Sequence, residues 1–211
     1  MSTRTRLIVA AVVCALVAGG GAYLLLGRGD PPRAAVFTAE TSTAIFGPIA
    51  GRALDPEPLT VQEVFAAAEL TSGDTTLSRK GTETLPACQD AVWGDAATAA
   101  VAACTQALRA VYATADGMIA AQSVIFNLPD SAAADRLVRA LGPGGGFVHL
   151  AEGVTGFDAA RSRAQARALG HYVALNWVAP ASERATPDLT QAQIALDSIT
   201  RAMHDRVVAA T

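Results

Sequence analysis

Residues Leu7 to Leu26 form an unbroken run of 20 uncharged, mostly apolar residues. As a helix rising 1.5 Å per residue this run is about 30 Å long, the thickness of a bilayer core. Arg4, Arg6 and the amino terminus precede it and all 19 acidic residues follow it. The positive-inside rule then places the first six residues in the cytoplasm and everything from Gly27 onward outside. The expectation is a signal-anchor: a cytoplasmic stub over 1–6, a transmembrane helix over 7–26 and an extracytoplasmic remainder. A cleaved signal peptide is the competing reading, because Gly20 and Ala22 supply small residues at cleavage spacing. Against it, Tyr23, Leu24, Leu25 and Leu26 carry the apolar stretch past that point. Cys14 follows Val13, where a lipoprotein site needs a small residue, and reads as a lipid-facing cysteine. A six-residue stub is too short to fold, so any signal passed inward needs a partner protein.

The 211 residues are 51% apolar and 17% charged, which fits one modest folded domain plus the apolar segment. A net charge of −3, a pI near 5.6 and singly scattered charges argue against nucleic acid as a partner. Lys80 is the lone lysine among 16 basic residues; with the many alanines this suggests a GC-rich bacterial genome.

Residues 27–58 hold half of the ten prolines, with Gly and Thr between them, and read as a linker. Ile45, Phe46, Ile49 and Leu54 in its middle give part of it the means to pack onto a domain over 59–211. Thr60 and Glu63 have capping-box spacing, and Val61, Val64, Phe65 and Ala68 would line one face of a helix running to Ser72-Gly73. Asp74 to Lys80 reads as a short strand, and Pro86 to Ala103 as Ala-rich helices broken near Gly94-Asp95. Gln106–Thr114 and Met118–Leu128, joined by Ala115-Asp116-Gly117, predict a hairpin. Asp130 should cap a helix whose Ala134, Leu137, Val138 and Leu141 share a face. Phe147 to Leu150 is a short strand candidate. Ala160–Ala168 and His171–Val178 predict a second hairpin around Leu169-Gly170, and a stripe from Leu189 to Val207 predicts one long closing helix. The fold class is α+β: an antiparallel sheet with helices on one face, for which a ferredoxin-like arrangement is a candidate.

Cys88 and Cys104 are the only cysteines after the anchor, and an oxidising exterior favours a disulfide between them. It would close a loop of about 15 residues and contribute about 3 kcal/mol in the chain-entropy model. Two reduced cysteines or a metal site are the alternatives. The second has no CxxC, and His149, His171 and His204 stand too far apart in sequence for a zinc motif, so no metal or cofactor is assigned. His171 and Tyr172 at a strand start are candidate pocket residues; a satisfied strand-end histidine is the plainer reading. No G-x-S-x-G or S-x-x-K motif marks a serine nucleophile. Gly142 to Gly146 follows a helix, where a phosphate loop would open one, and reads as a helix stop. Arg161, Arg163 and Arg167 would share one side of a strand as a candidate anion-binding stripe, suited to phosphate or carboxylate. The plainer reading is a charged edge strand that resists aggregation.

Leu59-Thr60-Val61-Gln62-Glu63-Val64-Phe65, Cys88, Cys104 through Ala110 with Tyr112, and His171-Tyr172-Val173 through Trp177 resemble a family of uncharacterised exported or membrane-anchored actinobacterial proteins. The resemblance covers Leu59 to Val178. It implies localisation and the disulfide, and carries over no substrate, cofactor or catalytic residue. The functional expectation is a membrane-anchored, non-catalytic interaction or sensing module at the cell envelope, with an envelope protein as partner. An envelope hydrolase or small-ligand carrier is the alternative.

Overall fold

Two nine-residue strands, β6 (Ile119–Asn127) and β9 (Tyr172–Pro180), are buried at every position. A strand turns alternate side chains to opposite faces, so burial throughout requires cover on both sides. The computed structural model, which describes residues 31–182 and 186–211, supplies that cover. The stub 1–6 and the apolar segment 7–26 lie outside the described residues. Among the described residues no helix is long and apolar enough to cross a membrane.

A compact unit runs from Pro32 to Thr211. The remaining strands are β1 (Val36–Glu40), β2 (Glu69–Ser72), β3 (Thr75–Leu85), β4 (Val92–Trp93), β5 (Gln106–Ala113), β7 (Phe147–Val148) and β8 (Arg163–Leu169). Seven form one sheet in the order β1-β8-β9-β6-β5-β3-β2, while β4 and β7 make a separate small ribbon. All pairings in the large sheet are antiparallel except β1 with β8. Both predicted hairpins form, as β5–β6 and β8–β9. The first turns where Asp116 accepts from the Met118 N–H at 2.9 Å and from the Thr114 hydroxyl at 2.6 Å.

The helices are α1 (Val61–Val64), α2 (Asp95–Ala100), α3 (Ser131–Ala140), α4 (Leu189–Asp197) and α5 (Arg201–Ala209). They lie on both faces of the sheet, which corrects the one-faced, ferredoxin-like expectation. Val124, Phe126, Val173, Leu175 and Trp177 form one core with Ala134, Leu137 and Val138 of α3. Ile125, Tyr172, Ala174 and Val178 form another with Leu196 of α4 and Met203 of α5. The closing helix is broken by a 3-10 turn over Ser198–Thr200.

Two further expectations give way. Thr60 and Glu63 do make the capping box, yet α1 lasts one turn and the following residues become β2, because an antiparallel partner in β3 captures Glu69–Ser72. The supposed linker belongs to the folded unit from Pro32 onward. β1 extends the sheet beside β8, and Phe46 and Ile49 are buried, each contributing about 2 kcal/mol of apolar burial. The Ser131 N–H donates to the Ala50 carbonyl at 2.8 Å and the Arg52 N–H to the Pro129 carbonyl at 3.0 Å. Proline density had marked a chain without regular helix, not one without a place in the core.

Candidate functional site

His171, in the turn just before β9, is fully enclosed. Its backbone N–H and its Nδ1 both lie 2.9 Å from the Ile49 carbonyl. Nδ1 therefore carries the proton, and Nε2 is left a bare acceptor without a partner among the described residues. Burial pushes its pKa down, against the weaker pull of the Ile49 carbonyl and Asp55, so the ring is neutral near pH 7. Enclosure of this kind suits a structural histidine and denies it a substrate.

Tyr172 belongs to a latch. Its hydroxyl donates to Asp55 Oδ2 at 2.7 Å and accepts from Arg206 Nη1 at 3.1 Å. Arg206, on α5, also reaches Asp55 at 2.7 Å, both oxygens of Glu63 at 2.6 and 2.9 Å, and the carbonyls of Glu57 and Pro58. Every guanidinium edge is used. Arg206 holds the Glu63 carboxyl below its usual range, chiefly through that hydrogen bond, while burial and then Asp55 push Tyr172 up. The latch ties residues 55–63 to the last helix and leaves nothing for a ligand.

The arginine stripe is only partly assembled. Arg161 falls in a 3-10 turn over Ala159–Arg161, paired with Asp158 at 2.7 Å. Arg163, Gln165 and Arg167 do share a side of β8, opposite Ala164, Ala166 and Ala168, which pack in the α3 core. β8 is interior, because β1 covers its outer edge. Arg167 bridges Glu40 at 2.9 Å and Asp197 at 2.7 Å, and Gln165 donates to Glu40 at 2.7 Å. Asp197 in turn accepts from Asn176, which accepts from Ser123 at 2.7 Å. Arg167 thus terminates a polar ladder across the sheet, and the exposed Arg163 lies 3.4 Å from the Thr190 hydroxyl.

A different place gathers polar groups that face a cavity. α3 packs on β1, β8 and β9, so on its side of the sheet β5 and β3 lie beyond it. There Gly81, Thr82, Glu83 and Leu85 of β3 meet Arg109 and Val111 of β5, Asp90 and the segment Ala151-Glu152 around a cleft of about 490 Å³. Arg109 is 6% exposed. Its Nε donates to Glu83, its strand partner, and its Nη1 reaches the His149 carbonyl at 3.5 Å; its Nη2 has no hydrogen bond among the described residues. The buried charge is stabilised by that pairing, without which its desolvation would cost several kcal/mol.

The cleft has fixed walls. The buried Gln122 of β6 donates to the His149 carbonyl at 3.1 Å and accepts from the Ala151 N–H at 2.9 Å, pinning the segment that passes over β5. Five residues on, Gly156 adopts φ +72°, and a Cβ there would stand 2.0 Å from the Ala181 carbonyl, so only glycine fits. Between these pins Gly153 to Gly156 wall a second cleft of about 500 Å³, which shares Val111 with the first and has Lys80 at its rim. Asp90 sits on a 3-10 turn over Cys88–Ala91, and Cys88 is disulfide-bonded to Cys104 just before β5. The staple thus braces the acidic wall.

Neither Arg109 nor Gln122 stood among the sequence candidates for a site. The signal was present: each is a polar residue at an inward position of a strand whose neighbours are apolar. Chemically the cleft offers carboxylates, a threonine and a paired guanidinium. Among the described residues no three His, Cys, Asp or Glu side chains are placed to hold a metal ion. Compared with protein-family models, curated proteins and solved structures, the chain matches none.

Proposed function

We propose that this chain displays a disulfide-stapled α+β domain on the outer side of a bacterial membrane, carried by its N-terminal apolar segment, and that the domain binds or senses a partner at the cell envelope. The observation that carries the reading is the Arg109 cleft: a polar, stapled recess on a part of the sheet that lies beyond α3. The Cys88–Cys104 bond suits an oxidising, extracytoplasmic compartment. A hydrolase built on His171 is disfavoured, because that ring is sealed against Ile49.

The test is a photocrosslinking amino acid at Glu152, with Val208, exposed on α5, as the control position. A discrete adduct in envelope membranes from Glu152 and none from Val208 supports binding at the cleft. No adduct, together with turnover of an envelope-derived substrate by the purified chain, replaces binding by catalysis.

A further inference from the structure

β3 is eleven residues long and its outer neighbour β2 covers less than half of it. β2 pairs with Thr75 to Ser78, and the Arg79 N–H still reaches the Ala68 carbonyl at 2.8 Å. From Lys80 to Thr84 the strand is exposed, and no described residue outside β5 hydrogen-bonds its backbone. A strand presents alternate N–H and C=O groups along such an edge, ready for another chain. Gly81, Thr82 and Glu83 of this open stretch also line the Arg109 cleft, so a strand added here would hold every second side chain above that recess.

The charge of the recess selects what those side chains are. Glu83 is neutralised by Arg109. Asp90 uses one oxygen to accept from the Ala87 N–H at 3.2 Å, and Glu152 has no hydrogen bond or ion pair with a described residue. Two carboxylates are therefore uncompensated, which favours a cation and opposes an anion. The spare Nη2 of Arg109 suits a neutral acceptor such as a main-chain carbonyl. Lys80 and the bulge between Arg79 and Gly81 oppose pairing with an identical edge.

Resting on the binding reading above, we propose that the occupant is an extended peptide segment that adds as a strand to Lys80–Thr84 and lowers one Lys or Arg side chain into the cleft walled by Asp90 and Glu152. This is main-chain recognition at a sheet edge with one specificity pocket.

The experiment pans a phage-displayed library of random 12-residue peptides against the full-length chain in detergent micelles. The expected outcome is enrichment of peptides with a Lys or Arg between β-branched residues. A synthetic copy of the enriched peptide slows amide exchange at Lys80–Thr84 at least tenfold. Glu152→Lys weakens its binding at least tenfold, Asp90→Asn and Glu152→Gln weaken it less, and Arg163→Gln leaves it unchanged. Melting temperatures confirm that each variant is folded. No enrichment, enrichment of acidic peptides, or binding that leaves Lys80–Thr84 unprotected overturns the proposal. Slow exchange at that edge without peptide, in a chain that sediments as a dimer, assigns it to a second copy and overturns it too. If these arms fail while Glu152 still crosslinks to an envelope protein, strand addition falls and the binding reading stands.

Discussion

On one face of the sheet α4 packs against β2, β3, β6, β8 and β9; on the other, α3 packs against β1, β8 and β9. The polar groups follow this difference. Beneath α4 one polar run is linked internally, from Ser123 through Asn176 and Asp197 to Arg167 and Glu40, and the Arg206 latch on α5 consumes every donor it has, while the Tyr112 hydroxyl and Gln193 Oε1 are sealed in without a partner among the described residues. Beyond the reach of α3 the polar groups are only partly satisfied, and they line a cleft. Polar capacity left over on the closed face is sealed in the core, whereas the spare Nη2 of Arg109 on the open half borders a cleft.

The sharpest way to break this comparison is to remove one arginine from each side. Arg206→Ala should cost about 3–5 kcal/mol in urea unfolding, because Asp55, Glu63 and the Tyr172 hydroxyl lose their common cation. Arg109→Met keeps the stem and frees a Glu83 carboxylate that is 46% exposed and returns to water; its cost should stay below about 2 kcal/mol. Equal costs would show that the two sides do not differ. Next in size is the staple. Replacing Cys88 and Cys104 with serine should cost about 3 kcal/mol by the chain-entropy estimate, with amide exchange faster around Asp90 than in α4.

Gln122→Leu strips two partners from the segment over β5 and should cost about 1–3 kcal/mol. The loss should be local: exchange at Ala151 to Gly156 accelerates while the centre of β6 stays protected, and uniform acceleration would contradict an independently pinned segment. The smallest effect is the pH dependence of the closed face. Burial lowers the His171 pKa below its ordinary 6.5, so the unfolded chain takes up the proton first as pH falls. The stability this ring contributes is complete above about pH 6.5 and declines below it, by at most about 1.4 kcal/mol per pH unit. A His171→Gln variant, whatever its absolute stability, should show a flatter melting profile between pH 7.5 and 5.5.

What could be read in the sequence was local. Asp116-Gly117 and Leu169-Gly170 mark their hairpins because turn chemistry sits between alternating runs, and Asp130 caps α3 with a 2.7 Å bond to the Ala133 N–H. What could not be read depends on distant partners. Val61 to Ala68 carries a helical stripe, but β3 draws the next residues into the sheet. β1 hides among prolines because its identity comes from β8, more than a hundred residues away, in a parallel pairing that no turn announces. The cleft was legible only as polar interruptions, Arg109 and Gln122, inside apolar strands. Their convergence with Asp90 and Glu152 is set by the disulfide and by the glycine at 156.

The strand order also has a mechanical consequence. The folded unit begins next to β1 at one margin of the sheet, while the cleft lies five strand spacings away at β3, about 24 Å at 4.8 Å per spacing. Tension applied at Pro32 and resisted at Thr82 runs across the strands, so the ladders bear the load in series and the shortest joint on that line yields first. That joint is the five-residue β1–β8 pairing, reinforced by Glu40 with Gln165 and Arg167. Pulling a single molecule between these two points should release β1 as a low-force first step while the remaining sheet holds, and Glu40→Ala should bring that step to lower force still.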